Sequence, residues 1–457
     1  MLERRRILIC LIALTVLLVS SGQVLGICPV QSNSIVSPRI DSAAPAYTSH
    51  ADIDLVGDAA LLAYAESEEW DGDGTEGHPF IISGYEFTTA GHAIRLEDTT
   101  LHWEFRDNRC IGTAGEWCVV AILNSYNGKV INNTISWGAV GIHIAGGGNF
   151  TIRNNTVYSS AMSGIIIEEG SDYEIDDNEV YGVPLGGIYV GNPTDNVIAS
   201  DSIITNNYIH DNPGNGIMLE DCTRITVSGN VIEDNADSGI QINHDSNVIR
   251  NNIIRFNDYG INVVGDHNVI EDCIISNNTM RGIRLSGASF NNISDCEISD
   301  NDEQGVWIYS SDNNRIFNCM FVNNGGYGIE IYSDSIGNAV EWSEFEGNGE
   351  GCQVCDDGTE NLFQYNYYSE WTTPDDNTDG IVDDPYEIDG DALNSDLYPR
   401  ASPSVTTVIT TSTETTSTTT TTTTTDQPML PMMEIAVISG AAVLVAIVVF
   451  LAKKRDA

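Results

Sequence analysis

Basic residues are scarce. The 457-residue chain holds 19 lysines and arginines against 66 aspartates and glutamates, a formal net charge of −47. No arginine–lysine patch interrupts this, so nucleic acid and anionic lipid surfaces, which need a basic footprint, are excluded as partners. Direct capture of an acidic polysaccharide is disfavoured for the same reason, unless calcium bridges the two. Helical periodicity is missing as well: between about residue 80 and 370 no run of ten or more residues places its apolar side chains at a 3.6 spacing. The leucine-rich pattern is absent, and only one Cys-x-x-Cys occurs, Cys352–Cys355. One such pair gives no zinc site, and on a strand its two sulfurs face opposite sides, away from redox chemistry.

The two ends read differently from the middle. Arg4, Arg5 and Arg6 precede an apolar run from Ile7 to Ser20 and a small-residue site at Val24-Leu25-Gly26, which marks residues 1–26 as a secretory signal peptide. Cys28 lies two residues further on, without the Gly-Cys adjacency of a lipoprotein site. At the far end a membrane-spanning helix is expected over 432–452, with an uncharged core from Ile435 to Ala452. Lys453, Lys454 and Arg455 then place a 453–457 tail in the cytoplasm and the body of the chain outside. Residues 401–428, with unbroken threonine from Thr418 to Thr425, have the composition of an O-glycosylated stalk.

The middle repeats. A glycine followed by apolar residues at its next and third positions recurs at Gly141, Gly164, Gly187, Gly216, Gly239, Gly260, Gly282, Gly305, Gly328 and Gly351, at steps of 21 to 23 broken by a single step of 29. Apolar–polar alternation after each glycine is a short strand with one face buried, and the glycine itself is read as easing the turn that starts it. A second marker, Asn133, Asn155, Asn178, Asn207, Asn230 and Asn252, passes to Cys273, Cys296 and Cys319 and then to Ser343 and Asn366. Those cysteines read as small buried side chains. A third marker, Asn247, Asn268, Asn291, Asn314, Asn338 and Asn361, predicts an amide ladder along a stack of coils, each amide donating to the next, with asparagine also suiting tight left-handed turns. Coils of about 22 residues accommodate three short strands each, so the expected fold is an all-β right-handed parallel β-helix of about twelve coils. The repeats are placed at 91–366, with an N-terminal segment and cap over 27–90 and a C-terminal cap over 367–400.

The repeat unit Asn251-Asn252-Ile253-Ile254…Gly260-Ile261-Asn262-Val263 resembles the NosD-type right-handed β-helix family, within the pectin-lyase-like superfamily. The lead-in Gly74-Thr75-Glu76-Gly77-His78-Pro79-Phe80-Ile81-Ile82 and the exit Asn366-Tyr367-Tyr368, Asp379-Gly380, Asp384-Pro385-Tyr386 resemble that family too. The resemblance covers about 350 residues and speaks for fold, because the fold hosts lyases, epimerases, hydrolases and plain binding rods. It also implies a copper-accessory role. Copper wants clustered ligands, and His92, His143, His210, His244 and His267 share no register, so the residues themselves do not support copper.

Three sets of residues carry chemistry. Asp375, Asn377 and Asp379, with the Ile381 carbonyl and Asp383, have the spacing of a calcium loop around Gly380, although Tyr386 stands where the last acid belongs. A structural calcium fixing the cap is therefore expected. Outward positions on adjacent coils offer Arg284, then Trp307 and Tyr309, then Glu330 and Tyr332, a flat aromatic surface suited to sugar rings. Sequons at Asn132, Asn149, Asn154, Asn277 and Asn292 suit a glycoprotein, with Asn132 expected to be poorly accessible beside the ladder. For catalysis, Glu168, Glu220 and Asp221 could pair across coils, but the single excursion near Gly191–Ser200 makes a poor cleft and the Gly-His-Gly signature of polygalacturonases is absent. The sequence thus reads as a cell-surface, membrane-anchored protein that binds an extracellular glycan or serves the envelope structurally. A polysaccharide-modifying enzyme on the same fold and a copper-accessory protein stand as alternatives, and the oligomeric state is left open.

Overall fold

The computed structural model describes residues 47–403 apart from 114–116, 192–198 and 350–351. The signal peptide, the stalk beyond residue 403, the 432–452 helix and the tail lie outside the described residues. Among the described residues no helix is long and apolar enough to cross a membrane.

Strand follows strand, mostly three to five residues at a time, and each pairs in parallel with its counterpart one coil on. The result is a parallel β-solenoid of about 12 turns. One face is a 14-stranded sheet that begins at Thr48–Ser49 and ends at Tyr367–Tyr368. The other two faces join through Val140–Arg153, whose first half pairs with Val120–Tyr126 and whose second half pairs with Gly128–Ile131.

Alternation along each strand puts one apolar column inside each face. Ile142, Ile165, Ile188, Ile217, Ile240, Ile261, Ile283, Val306, Ile329 and Val354 stand in register on one face, all fully buried. Each contributes about 2–3 kcal/mol by leaving water. Towards the C-terminal end aromatics take over another column: Phe321, Phe345 and Tyr368 stack at centroid distances of 4.9 and 5.3 Å, and Tyr386 closes on Tyr368 at 3.6 Å.

The marker glycines have a different reason from the one read in the sequence. From Gly141 to Gly328, the marker glycines among the described residues, φ is not left-handed. A Cβ on Gly260 would lie 2.4 Å from the Gly282 carbonyl oxygen, and one on Gly282 would lie 2.6 Å from that of Gly305. Close approach of successive coils, not turn geometry, demands glycine here.

Amide ladders run along the stack, each fully buried. In the one formed by Asn247, Asn268, Asn291, Asn314, Asn338 and Asn361, the backbone N–H of each residue donates to Oδ1 of the next at 2.8–2.9 Å. Nδ2 of Asn314 donates to the Ala288 carbonyl at 2.9 Å and to Asn338 Oδ1 at 3.0 Å, so one side chain ties three coils. The ladder from Asn108 through Asn133 to Asn252 has the same geometry, then passes to Cys273, Cys296 and Cys319, which are buried and free. The two flanking thiols, followed by burial itself, hold the Cys296 thiol protonated well above its ordinary range. A third ladder, Asn212, Asn235, Asn257, Asn278, Asn301, Asn324 and Asn348, repeats at N–H to Oδ1 distances of 3.0–3.2 Å. The left-handed corners belong to the residue before each ladder position: φ is 55° at Asn251, 57° at Phe256 and 56° at His267. The ladder asparagines are chosen for their amides, not for a tolerance of positive φ.

Pairing starts ahead of the expected boundary at residue 91. Ile53–Val56 already pairs with Ile94–Glu97, and Phe80–Ser83 with Trp103–Arg106. The helix Asp58–Ser67 sits between them, burying Leu61 and Ala65, and Asp58 Oδ1 accepts from the Thr99 hydroxyl and the Thr100 N–H, both at 2.7 Å. At the other end Tyr386–Glu387 and Ser395–Asp396 form an antiparallel pair, and Arg400, 6 % exposed, donates to the Tyr365 carbonyl at 2.7 Å. Asn132 is exposed, because the ladder position is its neighbour Asn133. Asn149, Asn154 and Asn277 are exposed too, while Asn292 is half-buried within Asn292–Ser294.

Replacing Asn230 by alanine removes the acceptor of the Asn207 N–H and Nδ2 and the donor to Ile204 O and Asn252 Oδ1. At about 1–3 kcal/mol for each buried group left unpaired, Asn230→Ala should cost about 3 kcal/mol or more in urea denaturation. Asn251→Gly, at the left-handed corner, should be nearly neutral. Equal midpoints for the two variants would refute this division of labour.

Candidate functional site

The residues expected to form a binding face are brought together. Ile283–Ser286, Val306–Tyr309 and Ile329–Ile331 are consecutive on one face, and their register sets Arg284 beside Trp307, Ser286 beside Tyr309, and Trp307 beside Glu330. Tyr332 follows the third strand. The Trp307 and Tyr309 rings are stacked at 5.3 Å with 8° between their planes, because side chains two apart on a strand share a face. Tyr332 meets both edge-on, at 5.2 Å from Trp307 and 5.8 Å from Tyr309. Tyr309 and Tyr332 are 41 % and 37 % exposed.

Cations cover the tryptophan. The Arg284 guanidinium lies 5.3 Å from the Trp307 ring centroid and that of Arg281 lies 4.6 Å away, both within cation–π range. Arg281 was not legible as a site residue: it precedes the marker glycine Gly282, outside the alternating strand. Its Nε donates to Gln304 Oε1 at 2.9 Å, and Gln304 Nε2 donates to Glu330 Oε2 at 2.6 Å, so one amide spans the cation and the acid. Arg284 donates to Asn262 Oδ1 at 3.0 Å. Burial pushes the Glu330 carboxyl above its ordinary range, and Arg281 and the Gln304 bond only partly oppose it. Trp307 Nε1 is buried and finds no acceptor among the described residues.

Gln304 also belongs to a cavity of about 710 Å³, with Gly325, Gly326, Tyr327, Glu387 and Asp389 in its wall. The cap supplies the far side. Asp389 bridges to Cys355 as a further parallel partner, and the Tyr327 hydroxyl donates to Asp389 Oδ2 at 2.8 Å. A wall is what the sequence did not show, because the cap returns to the stack from 30 or more residues away and no local spacing records that. A second aromatic row lies on the 14-stranded sheet: Tyr158 and Tyr181 stack at 5.2 Å, Tyr181 and His210 at 5.1 Å, and Tyr208 and His210 at 4.1 Å.

The acidic loop is held by its own N–H groups, except that Asp375 Oδ1 is buried without a hydrogen-bond partner among the described residues. Asp375 Oδ2 accepts the Gly380 N–H at 3.2 Å, Asn377 Oδ1 the Asp379 N–H at 2.8 Å, Asp379 Oδ1 the Ile381 N–H at 2.9 Å and Asp383 Oδ2 the Asp376 N–H at 2.7 Å. Among the described residues no three His, Cys, Asp or Glu side chains are gathered as a metal site. The Asp375, Asp379 and Asp383 carboxylates each use one oxygen in these N–H bonds, and Asp375 Oδ1 is left without a partner among the described residues.

Parallel coils of this length, with glycine and asparagine at fixed stations, also match a family model for the right handed beta helix region, over residues 140–270 and 247–368. The chain belongs to this right-handed β-helix family. The two matches together cover half of the chain and contain the whole Arg281–Tyr332 face. Among solved structures, the chain is similar to the pre-mature gene product 12 of bacteriophage phi29, at 13% identity over 68% of this chain and 53% of that one, with a TM-score of 0.50. It is also similar to the A-module of the Azotobacter vinelandii mannuronan C-5 epimerase AlgE6, at 14% identity over 68% and 88%, with a TM-score of 0.45. The periplasmic alginate epimerase AlgG is 16% identical over 71% and 73%, with a TM-score of 0.41. At such identities the likeness concerns the fold. No curated protein matches the chain.

Because Glu330 has a raised pKa, its penalty is absent at acid pH and grows as pH rises through the folded-state value. Glu330→Gln should therefore melt above the parent at pH 7, and the two should converge near pH 4. A higher melting point for the parent at pH 7 would contradict the assignment.

Proposed function

We propose that this β-helix binds an extracellular polysaccharide across its coils, with the chain as a saccharide's backbone would lie along Trp307, Tyr309 and Tyr332, and that it does so at a cell surface to which the 432–452 segment anchors it. The observation that carries the reading is the set of three rings from two adjacent coils, bordered by Arg281, Arg284, Gln304 and Glu330. Aromatic faces supply apolar contact for the carbon-bound hydrogens of a pyranose, and the amide, guanidinium and carboxylate groups match its hydroxyls. The net charge of −47 favours a neutral glycan, with the two arginines able to offset an isolated carboxylate.

A second reading, modification of the bound polysaccharide, is favoured by Glu330, whose carboxyl is lifted above its ordinary range by burial and joined to Arg281 through Gln304, and by the cavity that Gln304 shares. The two readings part on one variant. Glu330→Gln should keep binding in either case, and should abolish polysaccharide turnover only if the site is catalytic.

A glycan-array screen of the full chain, repeated with calcium and with chelator, tests the proposal. Trp307→Ala should weaken the selected glycan about tenfold or more, the loss typical of truncating a central aromatic anchor. Loss of binding with chelator alone would bring in calcium and the Asp375–Asp383 loop. Binding that survives Trp307→Ala undiminished would sink the assignment of this face.

A further inference from the structure

Far from the Trp307 face, three consecutive coils place a thiol, an imidazole and a carboxylate in line. Cys118 stands two residues ahead of Val120–Tyr126, His143 points outward from Val140–Arg153, and Glu168 directly follows Ser163–Ile167. Cys118 Sγ lies 3.5 Å from His143 Nδ1. On the opposite side of the ring, His143 Nε2 lies 3.2 Å from Glu168 Oε1, an ion-pair contact that falls off the line of the N–H. A thiol on one ring nitrogen and a carboxylate on the other is the arrangement that activates a nucleophile: the imidazole takes the thiol proton and the carboxylate holds the ring. His92 Nδ1 lies 2.6 Å from the Cys118 carbonyl oxygen and fixes the main chain there. Among the described residues, Cys118 is the free cysteine with a histidine nitrogen on its sulfur.

The surroundings are apolar although they lie outside the coil interior. Cys118 clusters with Ala121, Ala139, Val140, Ile166 and Tyr189, separately from the main core, with Met162 and Met218 packed against them. Cys118 is 4 % exposed, while the His143 and Glu168 side chains keep 13 % and 19 %. We propose that Cys118, His143 and Glu168 form a second site, a thiol nucleophile that transfers or hydrolyses a small apolar acyl group from an ester. In the first step the Sγ proton passes to His143 Nδ1, sulfur bonds to the carbonyl carbon, and the alcohol leaves with the proton returned from His143. In the second, water gives a proton to Nδ1 and its oxygen bonds to the acyl carbon. The carbon–sulfur bond then breaks, the carboxylic acid departs, and the proton returns to sulfur.

The charge balance agrees with this. Burial alone would depress the His143 pKa, but Cys118 and Glu168 on either side of the ring outweigh it and lift it well above the ordinary histidine value. Glu168 acts through the ring and is a positioning residue.

The test uses the full-length chain with p-nitrophenyl acetate. Release of p-nitrophenol should accompany acetylation of Cys118, found by peptide mass mapping. Cys118→Ser should abolish that acetyl adduct, and His143→Gln should slow its formation about a hundredfold, the usual contribution of a general base. Glu168→Gln should lower the rate and displace its pH midpoint. A measurement free of variants stands beside these: at pH 6 iodoacetamide should alkylate Cys118 ahead of the other cysteines among the described residues, because His143 Nδ1 stands on its sulfur to take the proton as the carbon–sulfur bond forms. Absence of acetyl or alkyl adducts at Cys118, or acetylation as fast in His143→Gln as in the parent, would overturn the proposal.

Discussion

The fold depends on how the backbone N–H at each corner of a coil is satisfied. A strand hands its N–H groups to the next coil, but at a corner the chain leaves the sheet and that pairing lapses. Here a buried asparagine one coil on accepts the N–H through Oδ1, while its own Nδ2 reaches back to a carbonyl of the coil on the other side, as Asn314 does between Ala288 and Asn338. A buried N–H without an acceptor costs about 1–3 kcal/mol, and corners recur in every coil, so the stack cannot exist without such a device. The left-handed residue before each amide and the glycine that lets coils close together follow from the same requirement of close, repeated approach.

That requirement is why so much of the fold was legible. The Asn247–Asn361 register and the Asn133–Asn366 register were read directly from spacing, since a ladder demands one residue type at one interval. The third ladder, Asn212 to Asn348, was hidden by the density of other asparagines. The glycines were seen but given the wrong cause, because a sequence shows that glycine is required without showing whether φ or proximity requires it. At the site, Arg284, Trp307, Tyr309, Glu330 and Tyr332 followed from strand alternation. Arg281, Gln304 and Tyr327 lie at corners, where alternation stops, and Asp389 arrives from the cap. Groups placed by tertiary return leave no periodic trace.

The same geometry makes the outer surface a set of straight columns whose chemistry is free to vary. In one of them, read coil by coil, His143, Ile166, Tyr189, Met218, Gln241, Asn262, Arg284, Trp307, Glu330 and Cys355 follow one another in strict register. They stand outside the coil interior, although Ile166, Tyr189 and Cys355 are themselves buried by what covers the face. Two separate stations, a thiol–imidazole pair near one end and an aromatic–arginine face near the other, can therefore share one scaffold without sharing a residue.

The ladders also have a direction. The backbone N–H of each ladder asparagine points from its own coil towards the C-terminal end, whereas the N–H of the residue after it points back, as that of Asn292 does to the Asn268 carbonyl. Each column then ends on a carboxyl group, directly or through one amide. Asn366 gives its N–H to Asp396 Oδ2 and Asn361 gives its Nδ2 to Asp356 Oδ1, while Asn348 gives its N–H to Gln353, whose own amide passes on to Glu370. The carboxyl groups of Asp396, Asp356 and Glu370 thus stand at the C-terminal end of the ladders. Being pure acceptors, they end each chain of donors, so a second stack meeting this end would find no amide to continue from.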